Sequence, residues 1–330
     1  MNRLVRTVKI IGTGSCVPDK IVTNEYLETV VETNSRWVYE NVGILERRIV
    51  EDNQSTSDLA ATAGLRAIEN AGLRIEDIGL IIVATATPDR KAPSTAAFVH
   101  KKLNAKEAAA FDLNAVCSGF LFGMSVGSQY ISSGVYNNVL VIGADTFSKI
   151  TDWTRRDAVF FGDGAGAVVL SVANDEEGVL AFRLYTNTSN EMLGFTIPGG
   201  GSEIPLSKEN LYDQYFQMNG RAVFDTAIKS LPIAINQVME DVGLSIGQID
   251  VMIPHQPSIR ILRKTAEIIG LPFEKLMTNM EKYANTSAGT IPILLDELNR
   301  EKRLSKGDII LFAAVGSGWT YGASIVKWDR

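Results

Sequence analysis

The sequence predicts a layered α/β fold in which helices alternate with buried strands. One observation is the β-rich run "LIIVATATP" at 80–88, which is typical of a strand buried on both faces. A second is the segment 56–72, which has apolar residues at helical spacing and ends in Gly72, a C-cap signal. The third is the return of the same helix, loop and strand order over 224–255. Such alternation implies helical layers stacked on sheets.

An internal repeat supports this fold class. The segment "AGLRIEDIGLIIVA" (71–84) resembles "VGLSIGQIDVMIPH" (242–255), which lies 171 residues further on (242 − 71). The same shift of 171 relates "NAVCSG", which begins at Asn114, to "NTSAGT", which begins at Asn285. One shift kept over about 70 residues is stronger support for a duplication than any single match.

The repeat predicts two similar halves, residues 1–173 and 174–330. The polar stretch "ANDEEGV" at 173–179 is the expected connection between them. Because no Pro/Ser-rich linker separates the halves, we expect one compact body whose facing halves stack two sheets between helical layers.

Composition excludes several classes of protein. The chain has 330 residues, of which 45% are hydrophobic, and carries a formal net charge of −6. An acidic chain without a long basic tract lacks the footprint of a nucleic-acid-binding protein. Its longest apolar runs are too short to span a bilayer, and its N-terminus lacks the apolar stretch of a signal peptide. We therefore expect neither nucleic acid nor a membrane as partner.

The cysteine and histidine content favours a reducing compartment and argues against a metal. Cys16 and Cys117, the two cysteines, cannot form a disulfide framework, which favours the cytoplasm. A four-ligand zinc site would need both of them to converge with His100 and His255, and no CxxC or HxxxH spacing suggests it. We expect no metal and no permanently bound cofactor.

Three strand-to-helix junctions carry chemically active side chains: Cys117, His255 and Asn285. Ligands of α/β folds bind at strand ends, so these side chains are candidates for one site. A helix N-terminus carries a partial positive charge, and we expect it to lower the pKa of Cys117 so that thiolate exists near neutral pH. Each residue also has a plain structural explanation, as a buried thiol, a satisfied core histidine and a helix cap.

These three groups permit two kinds of chemistry. A Cys–His pair with an orienting group can serve a hydrolase, although hydrolysis needs a water-activating base in an open cleft. Alternatively, Cys117 accepts an acyl group from a thioester, and His255 and Asn285 donate hydrogen bonds to the carbonyl of a malonyl-type thioester that becomes an enolate as CO2 leaves. No general-base carboxylate is obvious beside Cys117. The glycine-rich loop 314–324 is a candidate oxyanion hole.

The positions of glycines predict two places where segments of the backbone pass close to each other. Gly119, Gly123 and Gly127 recur every four residues and suggest packing against the sister helix that begins near Ser287. The stretch "GDGAGAVV" (162–169) has no GK[ST] and is not a phosphate loop. We expect its glycines to let a strand pass close to the Cys117 helix.

Five motifs occur in order along the chain: "FDLNAVCSGF", "FGDGAGAVVL", "PHQPSIRI", "YANTSAGTIP" and "GSGWTYGAS". With the opening "IIGTGSCVPDKIVTNEYLE", they resemble the β-ketoacyl-acyl-carrier-protein synthase III family of condensing enzymes. The resemblance implies a homodimer of the thiolase-like fold, with a five-layered αβαβα core. It implies decarboxylating condensation of an acyl thioester with malonyl-acyl-carrier protein, in fatty-acid initiation or a specialised pathway. Coenzyme A or 4′-phosphopantetheine thioesters would be its substrates, and acyl carrier protein its partner.

The resemblance also implies roles for single residues. Cys117 would be the acyl-accepting nucleophile, and His255 and Asn285 the decarboxylation pair. The backbone N–H groups of Cys117 and Ser317 would form the oxyanion hole, although the family has glycine where Ser317 stands. Arg260 would face the acidic carrier protein, which a local basic patch helps to steer.

The substrate entrance departs from the family pattern. Trp37 matches the tryptophan that stacks on the adenine of coenzyme A, but the arginine expected four residues later is Asn41, so half of the adenine sandwich is missing. Arg155 matches an arginine at the tunnel mouth, and Ser258 replaces an asparagine near the pantetheine arm. Ala92 replaces a bulky residue of the acyl pocket. These departures predict weaker coenzyme A binding and a different or larger acyl group.

Two alternatives remain open on the sequence. A relative of these enzymes keeps Cys117 but passes the acyl group to an oxygen or nitrogen acceptor, and CO2 release from the malonyl substrate separates that activity from condensation. The other alternative is a silent partner subunit of a second ketosynthase, which the intact Cys117, His255 and Asn285 disfavour.

Overall fold

The computed structural model describes residues 6–173, 177–188 and 192–330. The predicted connection at 173–179 therefore lies partly outside the described residues, as does the start of the N-terminus. The strands are β1 Thr7–Cys16, β2 Ile21–Thr23, β3 Glu46–Arg48, β4 Leu80–Ala84, β5 Ala109–Leu113, β6 Asn138–Thr146, β7 Asp163–Ala173, β8 Gly178–Thr186, β9 Phe195–Thr196, β10 Gln217–Met218, β11 Val251–Pro254, β12 Ile309–Gly316 and β13 Thr320–Lys327. The helices are α1 Asn24–Leu27, α2 Ser35–Val42, α3 Thr56–Asn70, α4 Thr95–Leu103, α5 Gly119–Ser132, α6 Gly220–Val242, α7 Ile259–Ile269, α8 Met280–Tyr283 and α9 Thr290–Arg300.

Two mixed sheets form the centre of the molecule. The first has the strand order β1-β7-β6-β4-β5, in which β4 runs parallel to β5 and β6 while β7 is antiparallel to both of its neighbours. The second has the order β11-β12-β13-β8, with β11 parallel to β12 and the other two pairs antiparallel. Strand β4, which lies between two parallel neighbours, is buried on both faces, as its apolar run predicted.

Alternate side chains of each sheet pack on different helices. On β4, Ile81 and Val83 join a core with α3 and α4, whereas Leu80 and Ile82 join the core that contains α5 and α9. Strand β12 divides its side chains in the same way between α5 and α9 on one face and α6 and α7 on the other. The layers are therefore helices, sheet, helices, sheet, helices, which confirms the predicted α/β class and its αβαβα order.

Local sequence signals explain the helix bounds. Helix α3 begins after a capping box between Ser55 and Asp58, and the chain leaves it through Gly72, whose φ is 68°. Helix α6 begins at Gly220, four residues before the predicted segment, because the side chain of Asn219 accepts from the Ala222 N–H at 3.2 Å.

Elements 171 residues apart are of the same type. Strands β4 and β11 both follow a 3-10 turn, Ile75–Asp77 in one case and Ile246–Gln248 in the other. Strands β6 and β12 each pair in parallel with these strands. The boundary between halves at residues 173 and 174 stays a prediction.

Gly123 and Gly127 of α5 face the first sheet, so the predicted packing against a sister helix is wrong for these two glycines; a Cβ on Gly119 would lie 3.8 Å from Ala288 Cβ. A Cβ on Gly123 would lie 3.0 Å from Val141 Cγ1, and one on Gly127 would lie 3.1 Å from Val139 Cγ1. Helix α5 lies flat on the sheet, where β-branched side chains fill the space that alanines would need.

The glycines of β7 approach a different helix from the predicted one. A Cβ on Gly166 would meet the backbone N of Ile293 at 2.5 Å, and one on Gly164 would meet Ile293 Cδ1 at 2.8 Å. These residues let β7 pass close to α9 rather than to the Cys117 helix, because α9 crosses the sheet at that point.

Candidate active site

A cavity of about 460 Å³ gathers most of the predicted site residues. Seven of the eight line it, namely Cys117, His255, Asn285, Trp37, Ser258, Arg260 and Ser317. Within the described residues the exception is Arg155, whose guanidinium pairs with Asp157 at 2.5 Å. The duplicated fold thus brings together side chains that are far apart in sequence.

Cys117 lies in a 3-10 turn, Val116–Ser118, between β5 and α5. The Asn114 side chain accepts from the Val116 N–H at 3.1 Å, and Val116 has a φ of 48°, which is rare for a β-branched residue. The end of β12 closes over this turn: a Cβ on Gly316 would lie 3.0 Å from the Cys117 nitrogen. Glycine at 316 therefore lets two backbone segments meet at the nucleophile candidate.

Asn285 begins a second turn of the same construction. Its Oδ1 accepts from the Ser287 N–H at 2.8 Å, and Ser287 has a φ of 51°. Because this bond engages the oxygen, the NH2 group is the part of the Asn285 amide that is free to donate into the cavity; no described residue accepts from it.

His255 follows β11 and is nearly fully buried. Burial lowers the pKa of the imidazole to about 3, so the ring is neutral at physiological pH. Its Nδ1 lies 2.9 Å from the hydroxyl oxygen of Thr290, and the same hydroxyl oxygen lies 2.9 Å from the Ser287 carbonyl, so its one hydrogen serves either partner. Thr290 therefore holds the ring and leaves its other nitrogen, Nε2, for the cavity.

The pKa of Cys117 is raised, so the expected thiolate is absent and that prediction is wrong. Burial is the largest cause and takes the pKa to about 12; the nearby Asp145 charge adds to it, and a hydrogen bond from Ser287 opposes it. Part of the Cys117 surface is exposed at the cavity, but loss of water around the sulfur outweighs the helix N-terminus. Regular α-helix begins only at Gly119. The free protein carries a neutral thiol.

The guanidinium of Arg156 stacks on the ring of Trp37, whereas the asparagine at position 41 predicted that no arginine would lie opposite this ring. The guanidinium carbon of Arg156 lies 4.3 Å from the ring centroid of Trp37. Asn41 instead donates to the Trp37 carbonyl at 3.0 Å, within its own helix. Arg155, the predicted arginine, is the neighbour of Arg156, and sequence alone does not show which of two adjacent arginines points to a ring.

The cavity mouth carries further basic residues. Ser258 caps α7 and accepts from the Ile261 N–H at 3.4 Å. The next turn places the Arg260 guanidinium 5.9 Å from the ring centroid of Phe224. Arg221 also lines the cavity; it was not among the predicted site residues, since it precedes the helix predicted from residue 224. Two arginines therefore flank the opening.

Aromatic side chains form one wall, which the sequence did not reveal. Phe161 and Phe195 line the cavity and pack on Phe147 and Phe216, with centroid distances between 4.5 and 6.3 Å. These rings are scattered along the chain, so no local pattern predicts that they meet. Ala92 is not part of the cavity lining among the described residues.

At Ser317 the hydroxyl is engaged with a backbone carbonyl. The side chain donates to the Phe195 carbonyl at 2.5 Å and is engaged away from Cys117. A serine in place of glycine is therefore compatible with a role for the Ser317 N–H at the cavity.

Two features are absent from the part of the chain that the structure describes. No helix there combines the length and apolarity that a membrane crossing needs. No cluster of three or more His, Cys, Asp or Glu side chains there is placed to hold a metal ion.

Two family models match the chain. The model described as 3-oxoacyl-[acyl-carrier-protein] synthase III matches residues 111–188, and its C-terminal counterpart matches residues 239–328. A Clostridium acetobutylicum protein named beta-ketoacyl-[acyl-carrier-protein] synthase III is 44% identical over 329 residues, which cover 99% of this chain and 100% of that protein.

Solved structures have the same fold. The 3-oxoacyl-[acyl-carrier-protein] synthase III of Aquifex aeolicus superposes with a TM-score of 0.89 at 39% identity, covering 97% of this chain and 100% of that one. The priming β-ketosynthase of the R1128 polyketide pathway superposes with a TM-score of 0.91 at 25% identity, covering 100% and 98%.

Proposed function

Since the chain belongs to the 3-oxoacyl-[acyl-carrier-protein] synthase III family, we propose that Cys117, His255 and Asn285 are the residues with which it carries out its condensation. The enzyme is an acyltransferase that joins an acyl thioester to malonyl-acyl-carrier protein, releases CO2 and forms a 3-oxoacyl product. The observation that carries the residue assignment is the single cavity lined by all three side chains.

In the first half-reaction Cys117 attacks the acyl thioester. Its backbone N–H and that of Ser317 stabilise the negative charge that develops on the carbonyl oxygen. The approach of Gly316 to the Cys117 nitrogen supports this pairing, because it brings the two segments into contact. The thiol is neutral beforehand, so its proton leaves during the attack. The bond between the acyl carbon and the carrier sulfur breaks, and the departing carrier thiolate takes up one proton, which balances the proton lost by Cys117.

In the second half-reaction His255 and Asn285 hold the malonyl thioester carbonyl. A neutral ring and a primary amide donate hydrogen bonds to the oxygen that becomes an enolate as CO2 departs. Donation from Nε2 of His255 requires the hydrogen on that nitrogen. The Thr290 hydroxyl selects this form when it donates to Nδ1 instead of to the Ser287 carbonyl.

The mouth fits a pantetheine thioester carried by coenzyme A or by acyl carrier protein. The adenine of coenzyme A would stack on Trp37 and displace Arg156, since 4.3 Å leaves no space for an intervening ring. Arg221 and Arg260 at the opening suit an acidic carrier protein, which charge complementarity steers to its site.

A homodimer and a cytoplasmic location belong to the same proposal. Strand β5 is the edge of the first sheet and pairs with β4 alone among the described strands, and its side chains are only partly buried. An uncovered edge strand is a template for another strand, here β5 of a second copy. Cys16 and Cys117 are both unpaired, which is typical of a reducing compartment.

Mass spectrometry of the purified protein tests the function. Incubation with a panel of acyl-coenzyme A and acyl-carrier-protein donors should add the acyl mass to the Cys117 peptide. Malonyl-acyl-carrier protein should then release CO2 and 3-oxoacyl product in equal amounts. Absence of the acyl-Cys117 peptide, or acyl transfer without CO2, would contradict the proposal. A preference for acetyl over longer donors would contradict the prediction of a larger acyl group.

A further inference from the structure

Ser287 is connected by hydrogen bonds to each of the three residues proposed to carry out the reaction. Its N–H donates to Asn285 Oδ1 at 2.8 Å. Its carbonyl oxygen lies 2.9 Å from the Thr290 hydroxyl oxygen, which also lies 2.9 Å from His255 Nδ1. Its own hydroxyl donates to the sulfur of Cys117, with an oxygen-to-sulfur distance of 3.5 Å. The first two contacts use the backbone of Ser287, whereas the contact with the sulfur uses its side chain.

The backbone around Ser287 fixes where this hydroxyl points. Ser287 is fully buried and has a φ of 51°, in the left-handed region. The next N–H, that of Ala288, donates at 3.2 Å to Oδ2 of Asp145, which is itself buried on β6. A Cβ on Gly143 of the same strand would lie 2.1 Å from the Ala288 carbonyl oxygen, so the turn packs directly on the sheet. The hydroxyl is therefore a preorganised donor that does not reach solvent.

A fixed hydroxyl donor affects a charged sulfur more than a neutral one. The sulfur of a thiol is a weak hydrogen-bond acceptor, whereas a hydrogen bond to an ionised acceptor is about twice as strong as one between neutral groups. The Ser287 hydroxyl therefore stabilises Cys117 most when negative charge lies on the sulfur. The proposed reaction creates that charge twice, when the thiol attacks the acyl thioester and when the bond between the acyl group and Cys117 breaks.

The other surroundings of Cys117 oppose this charge. Burial raises the pKa of the thiol, and the charge of Asp145 adds to the increase, whereas the hydrogen bond from Ser287 lowers the pKa. We infer that the Ser287 hydroxyl is a further catalytic group, which stabilises negative charge on the Cys117 sulfur when the thiol attacks and when the sulfur is released. The inference rests on the proposed function of Cys117.

Ser287 keeps its own hydrogen throughout, so the proton balance does not pass through it. In acylation the thiol proton lost by Cys117 is matched by the proton that the departing carrier thiolate takes up. In condensation the enolate carbon bonds to the acyl carbon, the bond from that carbon to the Cys117 sulfur breaks, and the sulfur leaves with the electron pair. This thiolate then takes one proton from water. Ser287 acts as a hydrogen-bond donor at both steps and as an acid or base at neither.

Ser287→Ala tests the inference, with Ser118→Ala as the matched control. The substitution at 287 removes the hydroxyl but keeps the backbone N–H and carbonyl, which make the other two contacts. Ser118 is also a buried serine and is next to Cys117 in the chain, but its hydroxyl donates to the Ala115 carbonyl at 2.8 Å. The two variants therefore differ in whether the lost hydroxyl was bonded to the sulfur.

Three rates are measured on each protein. Peptide-resolved mass spectrometry follows alkylation of Cys117 by iodoacetamide, which requires the thiolate but no acyl donor. Rapid-quench mass spectrometry with acetyl-coenzyme A follows acylation of Cys117. CO2 release from malonyl-acyl-carrier protein without an acyl donor follows the step assigned to His255 and Asn285. Alkylation of Cys16 in the same samples is the internal reference.

We expect Ser287→Ala to slow both alkylation and acylation of Cys117 about 10- to 100-fold, the size of a lost hydrogen bond to a charged group. CO2 release should change less than about threefold, and Ser118→Ala should change each of the three rates less than about threefold.

A wild-type rate of either alkylation or acylation in Ser287→Ala would overturn the inference and leave the proposed function intact. Equal loss of all three rates would also overturn it, since a structural defect affects every step. Failure of the wild-type protein to acylate Cys117 would instead overturn the proposed function, and the alkylation rates would still decide whether Ser287 stabilises the thiolate.

Ser287→Gly provides the same test if Ser287→Ala does not fold. Glycine also lacks the hydroxyl, and it adopts a positive φ without strain. Alkylation and acylation of Cys117 should again slow about 10- to 100-fold while CO2 release persists. Alkylation at the wild-type rate in this variant would overturn the inference.

Discussion

The two turns that precede α5 and α9 have the same backbone but different chemistry. Each begins with an asparagine whose side chain accepts an N–H two residues on, Asn114 from Val116 and Asn285 from Ser287. Val116 and Ser287 have φ values of 48° and 51°. The next residue is Cys117 in the first turn, whereas the second turn has alanine there. The geometry of a turn therefore positions a side chain, and the residue at one position decides what that side chain does.

The turns differ also in their surroundings. Asn114 is exposed, whereas Asn285 is 5% exposed and lines the cavity. The first turn continues into Gly119, while the second has Thr290 at that place, which holds His255. The first turn thus supplies the thiol, and the second supplies the amide and the support for the imidazole.

Cys117→Ala makes the first turn match the second and has the largest expected effect. Condensation should fall by about 10⁴-fold or more, because no other described side chain in the cavity is a thiol. CO2 release from malonyl-acyl-carrier protein should persist, since the second turn is intact. Paired assays of 3-oxoacyl product and CO2 measure this separation. Equal loss of both activities would show that the turns do not divide the reaction.

Comparing Asn285→Ala with Asn114→Ala tests whether Asn285 has the proposed role in CO2 release and Asn114 only a structural one. Both variants lose the same side-chain bond to a backbone N–H, which costs about 1 kcal/mol of unfolding free energy. Only Asn285→Ala removes a donor from the cavity, so its rate of CO2 release should fall about 100-fold. Steady-state CO2 assays and denaturant unfolding measure the two quantities. A similar loss of activity in Asn114→Ala would contradict the distinction.

Gly143→Ala against Gly119→Ala compares how tightly each turn packs on the first sheet. A Cβ on Gly143 would lie 2.1 Å from the Ala288 carbonyl oxygen, whereas one on Gly119 would lie 3.1 Å from Ala84 Cβ. Gly143→Ala should destabilise the protein by about 3 kcal/mol. Gly119→Ala should change the unfolding free energy by less than about 1 kcal/mol, because gained helix propensity offsets the contact. Equal losses in denaturant melts would contradict the comparison.

His255→Gln tests the neutral ring that the second turn supports. Since burial lowers the pKa of His255 to about 3, the folded protein binds fewer protons than the unfolded chain at acidic pH. The unfolding free energy should fall as the pH drops from about 6.5 toward 3, by about 1.4 kcal/mol per pH unit for this one group. The difference between wild type and His255→Gln should change by that slope below pH 6.5 and stay constant above it. A constant difference at every pH would indicate an unperturbed histidine.

The sequence predicts that Cys117, His255 and Asn285 meet, because the repeat places Cys117 and Asn285 at equivalent junctions and His255 also follows a strand. It did not predict the pKa of Cys117, which depends on how much protein surrounds the sulfur and not on its position before a helix. It also missed Asp145, although a single acidic residue inside the apolar run "VLVIGADT" was a signal for a buried, hydrogen-bonded carboxyl.

Contacts between distant segments could not be predicted from the sequence for a related reason. The glycines of α5 and β7 predict points of close approach, which the structure has, but a glycine does not reveal which segment approaches it. The stacking of Arg156 on Trp37 depends on which of two adjacent side chains turns toward α2. Such pairings are set by the layers of the fold, and local periodicity carries no information about them.

The backbone at Val116 has a consequence for anyone who redesigns this enzyme. A β-branched residue at a positive φ is strained by about 1–3 kcal/mol, and glycine would relieve that strain. The same substitution, Val116→Gly, would make the backbone turn that positions the Cys117 sulfur more flexible. Glycine at this position should therefore raise thermal stability and lower turnover. Stabilising substitutions at Val116 should be considered separately from those in the rest of the chain.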